Sequence, residues 1–200
     1  MSQSSAQHGD GWETVVCAET PTCPVRSPWF TDTAGAHWRF RTADMDDIDQ
    51  LTALYDAFGA ADRAQGIPPA VDHKRRSWVE MLLTDGHNIV AEGAEQIVGH
   101  VVYTPAAADR PELAVFVHPE YHNRGIGTEL CKQLVAAAAA TDKTALELHV
   151  ERRNAAAVAV YHRLGFEAVT EGHELEMVLP LENPVVNTLS RETTDRTARS

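Results

Sequence analysis

The chain has 200 residues, of which 44% are apolar and 23% charged, and 29 acidic against 17 basic side chains leave a formal charge of −12. That length fits one ordinary domain with loose ends, and the composition excludes a chain disordered throughout, a collagen-like repeat and a disulfide-dense miniprotein. The acidic balance argues against a nucleic-acid partner, which would need clustered cations, and favours solubility and cationic small partners.

Residues 1–36 are rich in Ser, Thr, Pro and Gly and lack sustained periodicity, so the sequence predicts a loosely ordered arm, with at most a short strand at Trp12–Val16. No basic stretch leading into an apolar one opens the chain, which predicts no secretory leader. The body is expected over residues 37–181. His37–Arg41 alternates into a first strand, and Asp44 is placed to cap a helix carrying Ile48, Leu51, Leu54, Tyr55 and Phe58 at helical spacing. Gly66–Pro69 breaks that helix, and Trp78–Leu83 marks a second one that ends near Gly86. Asn88–Glu92 and Gln96–Tyr103 read as a hairpin turning at Gly93–Ala94, and Leu113–Val117 as a short buried strand. A helix over Gly125–Ala140, a strand over Ala145–Val150 and a helix over Asn154–Leu164, stopped by Gly165, follow. Phe166–Thr170 and Glu174–Leu179 close the body as strands. Residues 182–200 form a C-terminal tail that the polar run from Asn187 marks as disordered. The apolar run around Val135–Ala140, seven residues from Leu134 and not exceeded elsewhere, is far shorter than the roughly 20 residues of a membrane span. Cys17, Cys23 and Cys131 make no Cys-x-x-Cys pair, which points to a reducing compartment and, with the rest, to a cytoplasmic protein. The order β-α-α-β-β-β-α-β-α-β-β gives a mixed sheet with helices on both faces, in the α/β or α+β class.

The informative stretch runs from Val115–Phe116–Val117 through His118, Pro119 and His122 to Asn123–Arg124–Gly125–Ile126–Gly127–Thr128. A strand enters a loop whose glycines open a helix, and the free amides and positive dipole end of a helix start attract anions. The spacing excludes a dinucleotide fingerprint, because Leu130 stands where the third Gly belongs, and no Gly-Lys-Ser/Thr run makes a P-loop. A second constellation follows the strand ending in His149–Val150: Asn154, a run of small residues, Tyr161, then Gly165–Phe166. Asn154 is placed to cap the helix or to bond a ligand amide, with Tyr161 two turns on.

Together these segments resemble the GNAT superfamily of acyl-CoA-dependent N-acyltransferases. Its motif A is Arg/Gln-x-x-Gly-x-Gly/Ala, and its motif B is an Asn, a Tyr seven residues later, then Gly-Phe. The resemblance covers about residues 37–180. It departs at the first position of motif A, where His122 replaces Gln or Arg. It implies a mostly antiparallel central sheet of six to seven strands flanked by about four helices. It also implies acetyl-CoA as cosubstrate, with the pantetheine arm along Val115, Phe116 and Val117, the diphosphate on the amides of Asn123 through Thr128, and Asn154 nearby. Tyr161 would then be the general acid on the CoA sulfur.

For the base that frees the amine, His149 is the candidate, with Glu112, Glu147 and Glu151 as rivals and water as a further option. His118 and His122 lack a third ligand, so no metal is expected, and the arm's His8, Cys17 and Cys23 are not convincingly spaced for one. Cys131 reads as a packed thiol. The expected activity is transfer of acetyl to a primary amine of a small molecule or protein, without nucleic-acid or membrane partners and with a homodimer left open. The rival expectation is a CoA-binding sensor or docking module without turnover.

Overall fold

Alternation along the first long strand is read out directly: Trp38 and Phe40 are buried while His37 and Arg39 face solvent. The computed structural model describes residues 26–59 and 68–191. The elements are β1 (Trp29–Thr31), β2 (His37–Thr42), α1 (Ile48–Asp56), α2 (Asp72–Asp85), β3 (His87–Glu92), β4 (Ile97–Thr104), β5 (Glu112–Val117), α3 (Ile126–Ala139), β6 (Ala145–Glu151), α4 (Ala155–Arg163), β7 (Glu167–Ala168), β8 (Glu174–Pro180) and α5 (Pro184–Arg191).

The turn that leads into α1 opens at Asp44, the cap expected from the sequence. Asp44 Oδ1 accepts from the Asp46 amide at 2.9 Å, and Asp47 Oδ2 accepts in return from the Asp44 amide at 3.0 Å. The shorter Asp47 thus does the reciprocal capping usually left to Glu or Gln, through a one-turn 3-10 segment that leads into the helix. Arg75, buried in α2, ties the two helices: its guanidinium donates to Asp72 Oδ1 at 2.7 Å and to the Pro69 carbonyl at 2.9 Å, and also pairs with Asp56.

All eight strands form one sheet in the order β1-β2-β3-β4-β5-β6-β8-β7, antiparallel throughout except between β5 and β6. This is the mixed, mostly antiparallel α/β architecture that the sequence pointed to, one strand and one helix larger. One core packs α3, α5 and part of α4 on one face, centred on Leu130, Leu134, Leu146, Leu148 and Met177. A second packs α1 and α2 on the other, centred on Leu51, Leu54, Tyr55 and Val79. Each fully buried large apolar side chain contributes about 1.5–3 kcal/mol.

The ordered body extends past the expected boundaries at both ends. β1 lies inside the segment read as an arm, and α5 inside the segment read as a disordered tail, where Val186 and Leu189 are buried. Two apolar residues three apart are too weak a pattern to announce a helix, and α3 supplies the surface that makes them one. The strand expected over Phe166–Thr170 shrinks to Glu167–Ala168, since Phe166 turns into the core straight after Gly165, whose φ is +94°. The short strand expected at Trp12–Val16 and the end of the tail lie outside the described residues. Among the described residues no helix is long and apolar enough to cross a membrane.

β5 and β6 are joined at a single pair, Glu112 with Glu147, at the start of β5. Beyond it the parallel strands part, leaving the edge of β5 over Val115–Val117 without a ladder partner on that side. This opening sets the position of the site.

Candidate active site

The chain leaves β5 at Val117 and makes a short 3-10 turn over Pro119–Tyr121. His122 then reaches back, its Nε2 2.7 Å from the Val117 carbonyl. Because a carbonyl only accepts, the ring carries its proton on Nε2 and donates it. The residue that departs from the motif A pattern therefore pins the loop to the end of the strand. Asn123 and Gly125 follow with φ of +60° and +88°, and the second of these is the N-cap of α3. A Cβ is strained there, which is the reason for glycine at that position. No side chain caps α3, so its first-turn amides are left for a ligand. Gly127 is needed for a different reason: a Cβ on it would stand 3.2 Å from Val117 Cγ2.

These amides face a cleft of about 270 Å³ between α3, the open edge of β5 and the start of α4. Val115, Val117 and Asn123 through Thr128 line it from one side, and Ala156, Ala157, Val160 and Tyr161 from the other. The two sequence constellations thus meet across one cavity. The small residues of α4 line the cleft beside Tyr161. Tyr161 is buried at 8% exposure and meets Phe166 edge-on at 5.8 Å. Burial, with a smaller contribution from Cys131, raises its pKa well above that of an ordinary phenol, so it stays protonated at neutral pH. Cys131 also lines the cleft, and burial pushes its thiol up to about 12, which makes it inert as a nucleophile.

Three predicted residues do not line the cleft. Alternation along β5 sends Val115 and Val117 toward α3 but the Phe116 ring to the opposite face, edge-on to Tyr55 at 5.1 Å and Trp78 at 5.7 Å. The Phe116 backbone is spent on the β4 ladder opposite His100, so Val115 and Val117 are the residues whose backbone faces the open edge. Asn154 Oδ1 accepts from the Ala157 amide at 3.2 Å and so caps α4. His149 lies on the sheet face opposite Leu148 and Val150, its side chain 40% exposed and its Nδ1 3.1 Å from Glu112 Oε1. Its rivals Glu147 and Glu151 are paired with Arg110 and Arg153. Among the described residues no group of three or more His, Cys, Asp or Glu is placed to hold a metal ion.

The sequence reading missed Tyr121, whose ring lies 4.8 Å beneath the Arg124 guanidinium. Its i,i+3 spacing to Arg124 was the available signal. It also missed Asp32, whose buried carboxylate accepts from Trp38 Nε1 and from the amides of Ala34 and Ala36, each at 2.9 Å. Burial works to raise the Asp32 pKa, but these three donors and Arg124 outweigh it and hold the carboxyl below its ordinary range.

Known proteins share this fold and part of this sequence. The L-methionine sulfoximine/L-methionine sulfone acetyltransferase of Pseudomonas aeruginosa is 27% identical over 135 residues, 64% of this chain and 78% of that protein. The GNAT domain of S. lividans PAT superposes with a TM-score of 0.64 at 18% identity, over 76% of this chain and 95% of that domain. The PaiA N-acetyltransferase of Thermoplasma acidophilum, solved in complex with coenzyme A, gives 0.57 at 17% identity, over 72% of this chain and 98% of that one. Residues 51–166, which hold most of α1, the open strand, the glycine loop before α3 and Tyr161, match the model of the acetyltransferase (GNAT) family, and the chain is a member of that family of acyltransferases.

Proposed function

We propose that this enzyme transfers the acetyl group of acetyl-CoA to a primary amine of a small molecule by direct attack, with Tyr161 as general acid. The observation that carries this reading is the uncapped N-terminus of α3 opening on the same cleft as Tyr161. Acetyl-CoA supplies an acetyl thioester that an amine can attack. The amides from Asn123 to Thr128 would hold its diphosphate, and the outward-facing backbone of Val115, on the open edge of β5, would pair with the amides of its pantetheine arm as an added strand. The backbone N–H at Val117 is then placed to steady the oxyanion as the N–C bond forms, a contribution that is commonly the largest. Tyr161, protonated at neutral pH, gives its proton to the sulfur as the C–S bond breaks. The attacking amine loses its own proton to water and, through water, to His149, since that ring does not line the cleft. A small-molecule acceptor is favoured because the relatives from Pseudomonas are acetyltransferases of L-methionine sulfoximine and L-methionine sulfone.

The test is thiol release from acetyl-CoA with a panel of amino acids, L-methionine sulfoximine, polyamines and peptides. Tyr161→Phe is expected to lower kcat on the order of 10²-fold while CoA affinity, measured by calorimetry, stays within about two-fold. Equal turnover in the variant would remove Tyr161 from the acid role. CoA binding without thiol release on any amine would favour the sensor or docking module instead.

A further inference from the structure

Residues 26–37 build the back wall of the anion loop. Arg26 donates to Glu129 Oε1, in the first turn of α3, at 2.9 and 3.1 Å, and Gln133 Nε2 donates to the Ser27 carbonyl at 2.8 Å. The Phe30 ring would stand 3.3 Å from a Cβ on Gly125. The Thr33 amide donates to the Arg124 carbonyl at 3.2 Å. At the tip of the β1–β2 hairpin the Asp32 side chain, with no exposed surface, holds its Oδ2 3.7 Å from Arg124 Nη1. The guanidinium is held from two further directions, by the Tyr121 ring beneath it and by the Glu120 carbonyl, 3.3 Å from Nη2. Tyr121 is itself fixed, its hydroxyl accepting from Gln96 Nε2 at 2.8 Å and its ring meeting Trp38 edge-on.

We infer that Asp32 is a positioning residue of the donor site: it holds the Arg124 guanidinium at the mouth of the anion loop, where it meets the phosphates of coenzyme A. This rests on the acetyl-CoA reading above. A carboxylate fixed by three donors on a tight turn has little freedom, so the cation opposite it is fixed too. Arg124 thereby meets a phosphate without first losing its rotamer freedom, which is the gain preorganisation gives. Asp32→Asn keeps the oxygen that accepts from the Ala34 and Ala36 amides, while its NH2 faces Trp38 Nε1–H and gives up that bond, a loss that the Arg124→Gln background carries equally.

The experiment is calorimetric titration of CoA into the wild type, Asp32→Asn, Arg124→Lys, Arg124→Gln and the double variant Asp32→Asn with Arg124→Gln, with thermal melts to check folding. Asp32→Asn is expected to weaken CoA binding about ten-fold and to raise KM for acetyl-CoA with little change in kcat. Arg124→Lys, which keeps the charge but not the planar fork, is expected to lose a similar factor. In the Arg124→Gln background Asp32→Asn is expected to add nothing, because its effect runs through the missing guanidinium. A wild type that does not bind CoA would overturn the acetyl-CoA reading and this inference with it. A wild type that binds while Asp32→Asn binds equally well, or loses the same factor with or without Arg124, overturns this inference alone. Should Asp32→Asn fail to fold, Arg124→Lys decides, and wild-type affinity in that variant overturns the proposal.

Discussion

His100 stands in the middle of β4 with no exposed surface, bonded at both ring nitrogens. The Asn88 amide donates to the Leu82 and Gly86 carbonyls, so its oxygen faces His100 Nε2 and must accept. The ring is therefore the Nε2–H tautomer, and its Nδ1 accepts from the Tyr55 hydroxyl. A proton added to Nδ1 would have no acceptor without turning that hydroxyl. Burial accordingly pushes the His100 pKa down to about 3, against a small opposing pull from Asp47. The sign follows from linkage: the unfolded histidine titrates near ~6.5, so stability is complete above that pH and is lost as pH falls toward the folded value. At pH 5 the loss is about 2 kcal/mol. Aspartates held below their ordinary range, such as Asp47, act only at lower pH. His87, whose pKa burial and then Lys143 also lower, adds a slope of the same sign, so urea denaturation from pH 7.5 to 5 should show a steeper loss in the wild type than in His100→Gln; equal slopes would refute it.

Among elements, α5 and β5 are the instructive pair. α5 has one polar and exposed side and presents Val186 and Leu189, at 1% and 7% exposure, to the core formed with α3. Its stability comes from that packing, since a helix of eight residues is marginal alone. Leu189→Ala is expected to cost about 2–4 kcal/mol in chemical denaturation, whereas a loosely attached tail would leave the variant equal to the wild type. β5 serves two partners at once. Its side chains alternate between the two cores, while its backbone edge is left open where β6 diverges. A strand in the middle of a sheet would normally spend both edges on neighbours, and the single Glu112–Glu147 pair is what frees this one.

Across the whole molecule, one continuous sheet separates two cores. The α3 side carries the glycine loop and Tyr161, and the α1–α2 side packs Tyr55, Trp78 and Phe58 against Phe116. Because the strands between them are shared, loss of packing on either side should be felt by the whole. Leu51→Ala and Leu134→Ala, both at fully buried positions, are each expected to lower stability by about 3 kcal/mol within one cooperative transition. Two separable transitions in calorimetry would show that the faces unfold independently.

What the chain alone determined is local. The Gly125–Ile126–Gly127 helix start, the Asn154 cap and the Asp44–Asp47 pair each follow from side chains within a few residues of one another, where torsional limits and short hydrogen bonds leave few alternatives. The meeting of Tyr161 with the glycine loop was legible only as the joint spacing of two motifs. The tertiary structure decided the rest: the direction of Phe116, the exposure of His149, the burial of Asp32 and the helix at residues 184–191. Each of these depends on which surface arrives from a distant part of the chain. Burial and long-range pairing are set by that encounter, and no window of sequence carries both of its sides.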